Sequence, residues 1–367
     1  MKKRYIFFLL TVSLFSIGCN DSPTSPPVPD LQLPLDLSQE WQTAPPETQN
    51  IDKNKLENAL KAAENLANIQ SLLIVRNGYL VSENYFNGNT ANSLNHVRSV
   101  TKSVISALVG IAIREGVIQD REQPISNFMP GEASVLGGEK ADIKIKHLLT
   151  MTSGFEWDES GGGEYSAWAG SGDHINYVLD KDLSAPPGGI FNYNSGAVHL
   201  LSVILTEASG MSTQEFLDEH LFAPLGVSNN DWEQDSRSYF NGGAGLQLRP
   251  RDMAKFGFLF MQNGTSGEKS IVPKAWVDES QSNLVNGTAT FGSIQNLSYG
   301  LLWWVGNAAG HDVYFAWGYG GQFIFNVPAL NTTIVATSLF RLAQADASAQ
   351  ERALLSLIGT QILPAFE

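Results

Sequence analysis

Apolar residues follow helical and alternating spacings that divide the chain into strands near both ends and helices between them. Leucine and alanine recur at helical spacing in residues 52–70, which predicts an N-terminal helix. Residues 71–88 contain two apolar runs joined at Arg76-Asn77-Gly78, and an Asn-Gly pair between such runs favours a tight hairpin. We therefore expect a helix followed by a two-stranded hairpin where the folded region begins.

The middle of the chain favours helices. An apolar helix begins near Ser99, and another pattern runs helically from Ala197 to a stop at Gly210. Similar helical patterns alternate with glycine- and serine-rich loops from about residue 115 to residue 240. The pattern predicts an all-helical insertion over about 115–240.

Strand patterns return near the C-terminus. Residues 310–340 are aromatic and β-branched runs broken by glycines and by Pro328, and residues 348–366 are typical of an amphipathic helix. Strands therefore lie near both ends of the chain. We expect an α+β fold with one mostly antiparallel sheet, flanked by helices and built from both ends of the chain.

The first 18 residues are typical of a signal peptide. Residues 1–4 are basic and residues 6–17 are apolar, but this run is too short to span a bilayer comfortably. Cys19 follows directly and is the only cysteine, so no internal disulfide can form. A lone cysteine at this place resembles the lipobox of bacterial lipoproteins. The resemblance implies lipidation of Cys19, export, and a membrane anchor on the periplasmic or cell-surface side. Ordinary secretion with a free thiol is the alternative.

A proline-rich stretch follows the cysteine. Residues 20–47 are rich in proline and show little apolar periodicity, which is typical of a stiff tether. We therefore predict a lipid-anchored linker over 19–47 and a folded domain over 48–367.

Composition narrows the functional classes. The chain has 367 residues, of which 43% are hydrophobic, enough for a substantial core. Its net charge is −14, and it lacks the basic patch that a nucleic-acid partner would require.

Ser99 and Lys102 are the candidate chemical centre. They lie one turn apart where an apolar helix begins, so the two side chains share a face. A buried lysine near a helix N-terminus has a lowered pKa and can accept the serine proton, while free backbone N–H groups there can bind an oxyanion. The alternative is an N-cap serine followed by a solvated lysine. Ser266 and Lys269 repeat the spacing, but in a polar, glycine-rich stretch that indicates an exposed turn.

Other signatures are missing from the sequence. No Gly-x-Ser-x-Gly motif occurs, which argues against an α/β-hydrolase elbow, and no phosphate-binding Gly-x-x-x-x-Gly-Lys loop occurs. The six histidines show no metal-ligand spacing. Neither a metal nor an organic cofactor is therefore implied.

Six segments in order resemble the serine β-lactamase-related family, close to class C β-lactamases and esterases of that fold, over most of the chain after residue 50. The first carries Ser99 and Lys102, and the others are similar to segments that line or support the family's site. The segments are 97–118, 143–159, 186–210, 242–264, 299–305 and 316–328.

The resemblance implies that Tyr193 is a proton-transfer group together with Lys102. The family often has Tyr-Ser-Asn, whereas this chain reads Tyr193-Asn194-Ser195. A literal Tyr-x-Asn occurs at Tyr239, which lacks the surrounding segment pattern. A core tyrosine in a loop is the alternative interpretation of Tyr193.

The glycine-rich segment from Ala316 departs from the β-lactamase pattern. Where β-lactamases carry Lys-Thr-Gly, this chain reads Ala316-Trp317-Gly318, followed by Tyr319. The resemblance is therefore nearer to 6-aminohexanoate-dimer hydrolase and related esterases. It implies backbone oxyanion donors at Ser99 and Tyr319. Trp157, Trp317 and Gly318 are candidates for the substrate pocket, although strand packing explains aromatic residues equally well.

Three functions remain open at this point. The first is a serine hydrolase that forms an acyl-enzyme with a small-molecule ester or amide. The second is a β-lactamase or D-alanyl-D-alanine peptidase, against which the missing cation at Ala316 weighs, because such enzymes must bind a substrate carboxylate. The third is a non-catalytic, penicillin-binding-like lipoprotein. We expect neutral esters to be preferred over β-lactams.

Overall fold

The computed structural model describes residues 31–366, and the hairpin expected after residue 70 forms one edge of its main sheet. The sheet has eight strands in the order β2-β1-β13-β12-β11-β10-β9-β8, and its neighbours pair antiparallel. The strands are β1 (Ile69–Arg76), β2 (Tyr79–Tyr85), β3 (Asn95–His96), β4 (Asp231–Trp232), β5 (Leu246–Leu248), β6 (Thr265–Ser266), β7 (Lys269–Ser270), β8 (Val285–Phe291), β9 (Ile294–Tyr299), β10 (Trp304–Ala308), β11 (His311–Gly318), β12 (Gln322–Val327) and β13 (Thr332–Ser338).

Helices flank this sheet and fill the region between its two sets of strands. The α-helices are α1 (Lys53–Glu64), α2 (Val100–Arg114), α3 (Ile145–Leu149), α4 (Gly163–Ala169), α5 (His174–Leu179), α6 (Ser195–Ser209), α7 (Thr213–Leu217), α8 (Pro250–Met261), α9 (Lys274–Ser280) and α10 (Gln344–Leu357). Short 3₁₀ and π turns extend several of them, including Ile358–Ile362 and Leu363–Phe366 after α10.

The turn between β1 and β2 forms as the sequence predicts. Asn77 and Gly78 both have positive φ, at 53° and 87°. Two consecutive residues with positive φ match the twist of a two-residue hairpin, which favours Asn-Gly at this place. The turn therefore sets the pairing of Arg76 with Tyr79.

The sheet joins the two ends of the chain. β1 pairs with β13, and the Asp52 backbone N–H donates to the Ala365 carbonyl at 2.7 Å. Alternate residues of the central strands, such as Leu73 and Val335, face the core that contains α2, α6 and α8. The predicted antiparallel sheet built from both ends is confirmed.

Helix α2 lies at the centre of this core. Every residue from Val100 to Ala112 is buried, which is expected of a helix that is apolar all round. Gly110 makes the close packing possible, because a Cβ there would lie 2.7 Å from the Trp276 ring. The N-terminus of α2 meets the end of β11, since a Cβ on Gly318 would lie 2.3 Å from the Val97 carbonyl oxygen.

The insertion over about 115–240 is mostly helical, as expected, but it is not wholly helical. It contains α3 to α7, and near its end β4 pairs with β5, which lies after the insertion. Three isolated bridges in the described residues also lie within it: Pro124 with Lys144, Phe155 with Leu183, and Gln234 with Phe240.

The domain begins earlier than the sequence predicted. Leu37 is 1% exposed, and its N–H donates to the buried Ser266 hydroxyl at 2.8 Å. The Leu80 N–H donates to the Gln42 carbonyl at 2.9 Å. The residues predicted as the last part of a linker over 19–47 therefore pack on the domain. Ser266 is buried in this contact rather than exposed in a turn. The predicted signal peptide and Cys19 lie outside the described residues.

Candidate active site

Ser99 and Lys102 are in direct contact at the start of α2. The Lys102 Nζ donates to the Ser99 Oγ at 2.8 Å and to the Gly243 carbonyl at 2.6 Å. Lys102 is fully buried, and the Ser99 hydroxyl does not cap the helix. Ser99 does occupy the N-cap position, but the solvated lysine of the alternative interpretation is wrong.

Burial changes the protonation of the lysine. It lowers the pKa of Lys102 to about 7, because a buried ammonium loses its hydration. The charge of Arg98 lowers this pKa further, whereas the carboxylate of Glu159 raises it. A substantial fraction of Lys102 is therefore neutral near neutral pH and can accept a proton.

Tyr193, rather than Tyr239, lies at this pair. The Lys102 Nζ is 4.9 Å from the centroid of the Tyr193 ring, and the Ser99 hydroxyl makes a hydrogen bond that stabilises the Tyr193 phenolate. Burial nevertheless raises the pKa of Tyr193 well above its ordinary value, so the phenol holds its proton. The Tyr239 hydroxyl instead donates to Glu207 in an exposed position. The fold therefore brings Tyr193, the tyrosine that the segment pattern indicated, to Ser99 and Lys102.

A glycine loop holds the lysine from the other side. The Gly243 carbonyl accepts from Lys102, and the preceding Gly242 N–H donates to the His199 Nδ1 at 3.3 Å. The His199 Nε2 lies 2.9 Å from the Asp235 carboxylate. Because Nδ1 accepts, Nε2 carries the proton, and this buried pair fixes the loop that faces Lys102.

Glu159 is a carboxylate that acts electrostatically on Lys102, and sequence reasoning missed it. It accepts from the Ser195 N–H at 2.6 Å and the Ser195 hydroxyl at 2.9 Å, two residues after Tyr193. The Trp157 indole N–H donates to the same carboxylate at 2.8 Å. Glu159 is the last residue of a segment already expected to line the site, which was the available signal.

Trp157 does not line an open pocket. It is 5% exposed and packs against Trp168 and Tyr177 at ring-centroid distances of 6.3 and 6.1 Å. Its contact with the site passes through Glu159. Its expected role in the pocket is corrected to one of positioning that carboxylate.

Trp317 is half-buried in an aromatic cluster beside Tyr193. Its ring lies 5.3 Å from the Trp304 ring, and Trp304 stacks on Tyr193 at 5.9 Å. The Phe291 ring also packs against Trp317, at a ring-centroid distance of 4.7 Å. Trp317 therefore packs among strand residues near Tyr193, and its role in a substrate pocket stays a prediction.

The end of β11 brings Tyr319 beside the nucleophile. Gly318 must be glycine because a Cβ would lie 2.3 Å from the Val97 carbonyl oxygen and 3.1 Å from the Arg98 Cβ. The following turn is held by Glu351, which accepts from the Gly320 N–H at 2.7 Å. Among residues 31–366, neither the backbone N–H of Ser99 nor that of Tyr319 donates to another backbone group.

Arg98 is a second site residue that sequence reasoning missed. It precedes Ser99 and has a positive φ of 53°, uncommon for a residue with a long side chain. Its guanidinium carbon lies 5.1 Å from the centroid of the Tyr319 ring. The sequence shows a cation next to the serine but gives no sign of where that cation points.

No metal centre accompanies these groups in the described part of the chain. Residues 31–366 contain no group of three or more histidine, cysteine, aspartate or glutamate side chains that could hold a metal ion. None of the helices there is long and apolar enough to cross a membrane.

Comparison with known proteins gives a consistent picture. A family model described as Beta-lactamase matches residues 63–357. The 6-aminohexanoate-dimer hydrolase of Paenarthrobacter ureafaciens is 25% identical over 297 residues, which cover 73% of this chain and 72% of that protein. For several other curated relatives, the region that aligns with this chain covers less than two thirds of the relative's own length.

Solved structures share the fold. A putative 6-aminohexanoate-dimer hydrolase from Bacillus anthracis superposes with a TM-score of 0.72 at 21% identity, covering 89% of this chain and 87% of that one. EstCE1, described as a hydrolase with promiscuous acyltransferase activity, has a TM-score of 0.66 at 17% identity, covering 83% of this chain and 99% of that one.

Proposed function

Because the chain belongs to the beta-lactamase family, we propose that it is a serine hydrolase that cleaves small-molecule esters or amides through an acyl-enzyme on Ser99. The observation that carries the proposal is the 2.8 Å contact between the Lys102 Nζ and the Ser99 Oγ, in a buried setting that favours a neutral lysine. A serine hydroxyl needs such a base before it can attack a carbonyl carbon.

The first half-reaction forms the acyl-enzyme. Neutral Lys102 accepts the Ser99 proton as the serine oxygen bonds to the carbonyl carbon, and the carbonyl oxygen becomes an oxyanion. The backbone N–H groups of Ser99 and Tyr319 donate to this oxyanion. Tyr193, which keeps its phenolic proton, donates it to the leaving alcohol or amine as the scissile bond breaks, and Lys102 returns a proton to Tyr193.

The second half-reaction uses water as the nucleophile. The water gives its proton to the same Lys102–Tyr193 pair and its oxygen to the acyl carbon, and Ser99 leaves with a proton. Apart from this water, no group from outside the chain is needed, and both half-reactions balance. The buried base therefore serves both steps.

Covalent labelling tests the proposal against its two alternatives. We would treat the protein with a fluorophosphonate and, separately, with a fluorescent penicillin, and map each adduct by mass spectrometry. Label from the fluorophosphonate alone, at Ser99, supports an esterase or amidase. Label from both reagents supports a penicillin-recognising enzyme.

Two variants complete that experiment. Ser99→Ala should lose both the label and the hydrolysis of 4-nitrophenyl butyrate while keeping the circular dichroism of the folded protein. Ser266→Ala, the serine of the second Ser-x-x-Lys spacing, should keep the label. Full activity in folded Ser99→Ala, or no label in the wild type, contradicts the proposed nucleophile.

We also propose that the protein is exported and anchored by a lipid on Cys19. The sole cysteine at the end of a signal-like apolar run supports this. The full chain, expressed in a bacterial host with radiolabelled palmitate, should take up label and partition into detergent. Cys19→Ser should do neither, whereas Ser22→Ala should behave as the wild type. An unlabelled wild-type protein contradicts the lipid anchor.

A further inference from the structure

We propose that Arg98 is a carboxylate-binding residue of this site, so that the preferred ester or amide carries a carboxylate near its scissile bond. This inference rests on the proposed serine hydrolase and names its substrate class more closely. It also revises the expectation that neutral esters are preferred. That expectation rested on the missing cation at Ala316, and Arg98 supplies a cation from a different segment.

The backbone holds Arg98 in an unusual conformation next to the nucleophile. Its φ of 53° lies in the left-handed region, which costs a residue with a Cβ free energy. The Arg98 N–H donates to the His96 Nδ1 at 3.1 Å, and the His96 ring stacks on Phe340 at 4.7 Å. The fold therefore maintains a strained turn at Arg98, and this turn fixes the direction of the Arg98 side chain beside Ser99.

Two aromatic rings then hold the guanidinium beside the proposed oxyanion donor. Its carbon lies 5.1 Å from the centroid of Tyr319, whose backbone N–H is the proposed oxyanion donor, and 5.8 Å from the centroid of Tyr165. Stacking on an aromatic face uses the π surface of a guanidinium and leaves its in-plane N–H donors available. Those donors form the fork that binds a carboxylate through two parallel hydrogen bonds.

Arg98 has no acidic partner within 4 Å among residues 31–366, although the protein carries a net charge of −14. The nearby carboxylates are engaged elsewhere. Glu233 lies 3.5 Å from the His96 Nε2, and Glu159 accepts from Ser195. A half-buried guanidinium next to the proposed nucleophile thus keeps its donors for a ligand.

The surroundings favour a carboxylate over a more highly charged anion. Glu159 and Glu233 both act electrostatically on Tyr165, whose ring contacts the Arg98 guanidinium. A dianionic phosphate would be repelled by both, whereas a carboxylate carries a single charge and matches the planar fork. A monoanionic ester or amide is therefore the class that fits.

The test compares matched substrates with and without a carboxylate. One pair is the mono-4-nitrophenyl ester of adipic acid and 4-nitrophenyl hexanoate, which have acyl chains of equal length. The second pair is 3-(hexanoyloxy)benzoate and phenyl hexanoate, which move the carboxylate to the leaving group. For each pair we would measure the ratio of kcat/KM for the anionic substrate to kcat/KM for the neutral one.

Arg98→Gln should lower this ratio by about tenfold or more for at least one pair, because a charge-assisted bidentate contact is lost. Arg98 also lowers the pKa of Lys102, so the variant changes turnover of both substrates, and the ratio removes that common effect. Arg98→Lys should retain part of the ratio. Arg341→Gln is the matched control: Arg341 is exposed, lies over the Phe340 ring at 5.1 Å, and should change the ratio less than about twofold.

The possible failures are distinguishable. Ratios unchanged in Arg98→Gln, with esters still hydrolysed by a Ser99-dependent route, overturn the carboxylate site and leave the proposed function standing. If Arg341→Gln lowers the kcat/KM ratio as much as Arg98→Gln does, the effect is a general attraction of charge, and the carboxylate site is overturned. Absence of Ser99-dependent hydrolysis for all four substrates overturns the proposed function, and the carboxylate site with it.

Discussion

The pH dependence of turnover tests Lys102 as the base. Burial lowers its pKa from an ordinary 10.5 to about 7, a difference of about 5 kcal/mol in the free energy of protonation. At pH 7 about half of Lys102 is then neutral, whereas an unperturbed lysine would be neutral in roughly one molecule in 3,000. The burial of this side chain is therefore responsible for a roughly thousandfold increase in the active form.

We expect kcat/KM for a 4-nitrophenyl ester to rise about tenfold per pH unit below 7 and to level off above it, because the neutral lysine is the active form. The assay would cover pH 5 to 9 and follow nitrophenol at its isosbestic wavelength. Tyr193, whose pKa is raised by burial, keeps its proton across this range, so no fall is expected at the alkaline end.

Two substitutions should move the profile in opposite directions. Arg98 lowers the pKa of Lys102, so Arg98→Gln should move the midpoint to higher pH. Glu159 raises that pKa, so Glu159→Gln should move it to lower pH. Each shift should be roughly a few tenths of a pH unit to one unit, as expected for a charge acting through a partly screened site.

A second group could produce the same titration and serves as the control. Burial raises the pKa of the Glu351 carboxyl to about 7, within the same window. Glu351→Gln keeps an acceptor for the Gly320 N–H and should leave the midpoint in place. Loss of the titration in Glu351→Gln, or shifts of the same sign in Arg98→Gln and Glu159→Gln, would refute the assignment to Lys102.

Other substitutions test the remaining parts of the site and the domain. Tyr193→Phe should lower kcat by roughly 10²- to 10⁴-fold, as loss of a proton-transfer group does, and Tyr239→Phe should stay near wild type; the reverse pattern would exchange the two tyrosines. Gly318→Ala places a Cβ 2.3 Å from a backbone oxygen, so steady-state assays should show at least about a tenfold loss; unchanged kinetics would contradict this packing. Leu37→Ala should lower the free energy of unfolding in urea by roughly 2–5 kcal/mol, and no change would mean that the segment is only a tether. Between pH 7 and 10.5, Lys102 binds more protons in the unfolded chain than in the folded one, so the free energy of unfolding should rise with pH there. Urea titrations at several pH values should show a flatter rise for Lys102→Met. An unaltered slope would assign the pH dependence to other groups.

Local sequence patterns were sufficient to predict the elements whose apolar residues recur at a regular spacing. The hairpin at Asn77-Gly78 and the apolar helix after Ser99 are visible in the sequence because their residue types and spacings specify local geometry. The sheet built from both ends followed from the positions of the strand patterns alone. Short-range chemistry determines the hairpin and the helix, whereas the sheet also requires β1 to pair with the distant β13.

The parts that were missed depend on contacts between distant segments. Leu37 lies in a proline-rich stretch without apolar period, and its burial is evident only from Ser266, which is far away in the chain. Glu159 reaches the site through Ser195, 36 residues later. The side chain of Arg98 is directed by Tyr319 and by the left-handed turn, neither of which leaves a pattern near Arg98.

The pairing of β1 with β13 has a consequence for the order of biosynthesis. A ribosome makes β1 well before its partner β13, which ends at Ser338, so the central sheet can form only after β13 has been made. Contacts with such long sequence separation form slowly. A nascent chain that stops before Thr332 already contains Ser99, Lys102 and Tyr193 but has no completed sheet on which to hold them. The proposed activity is thus expected only after β13 has been made, which a truncation series ending before and after β13 would reveal.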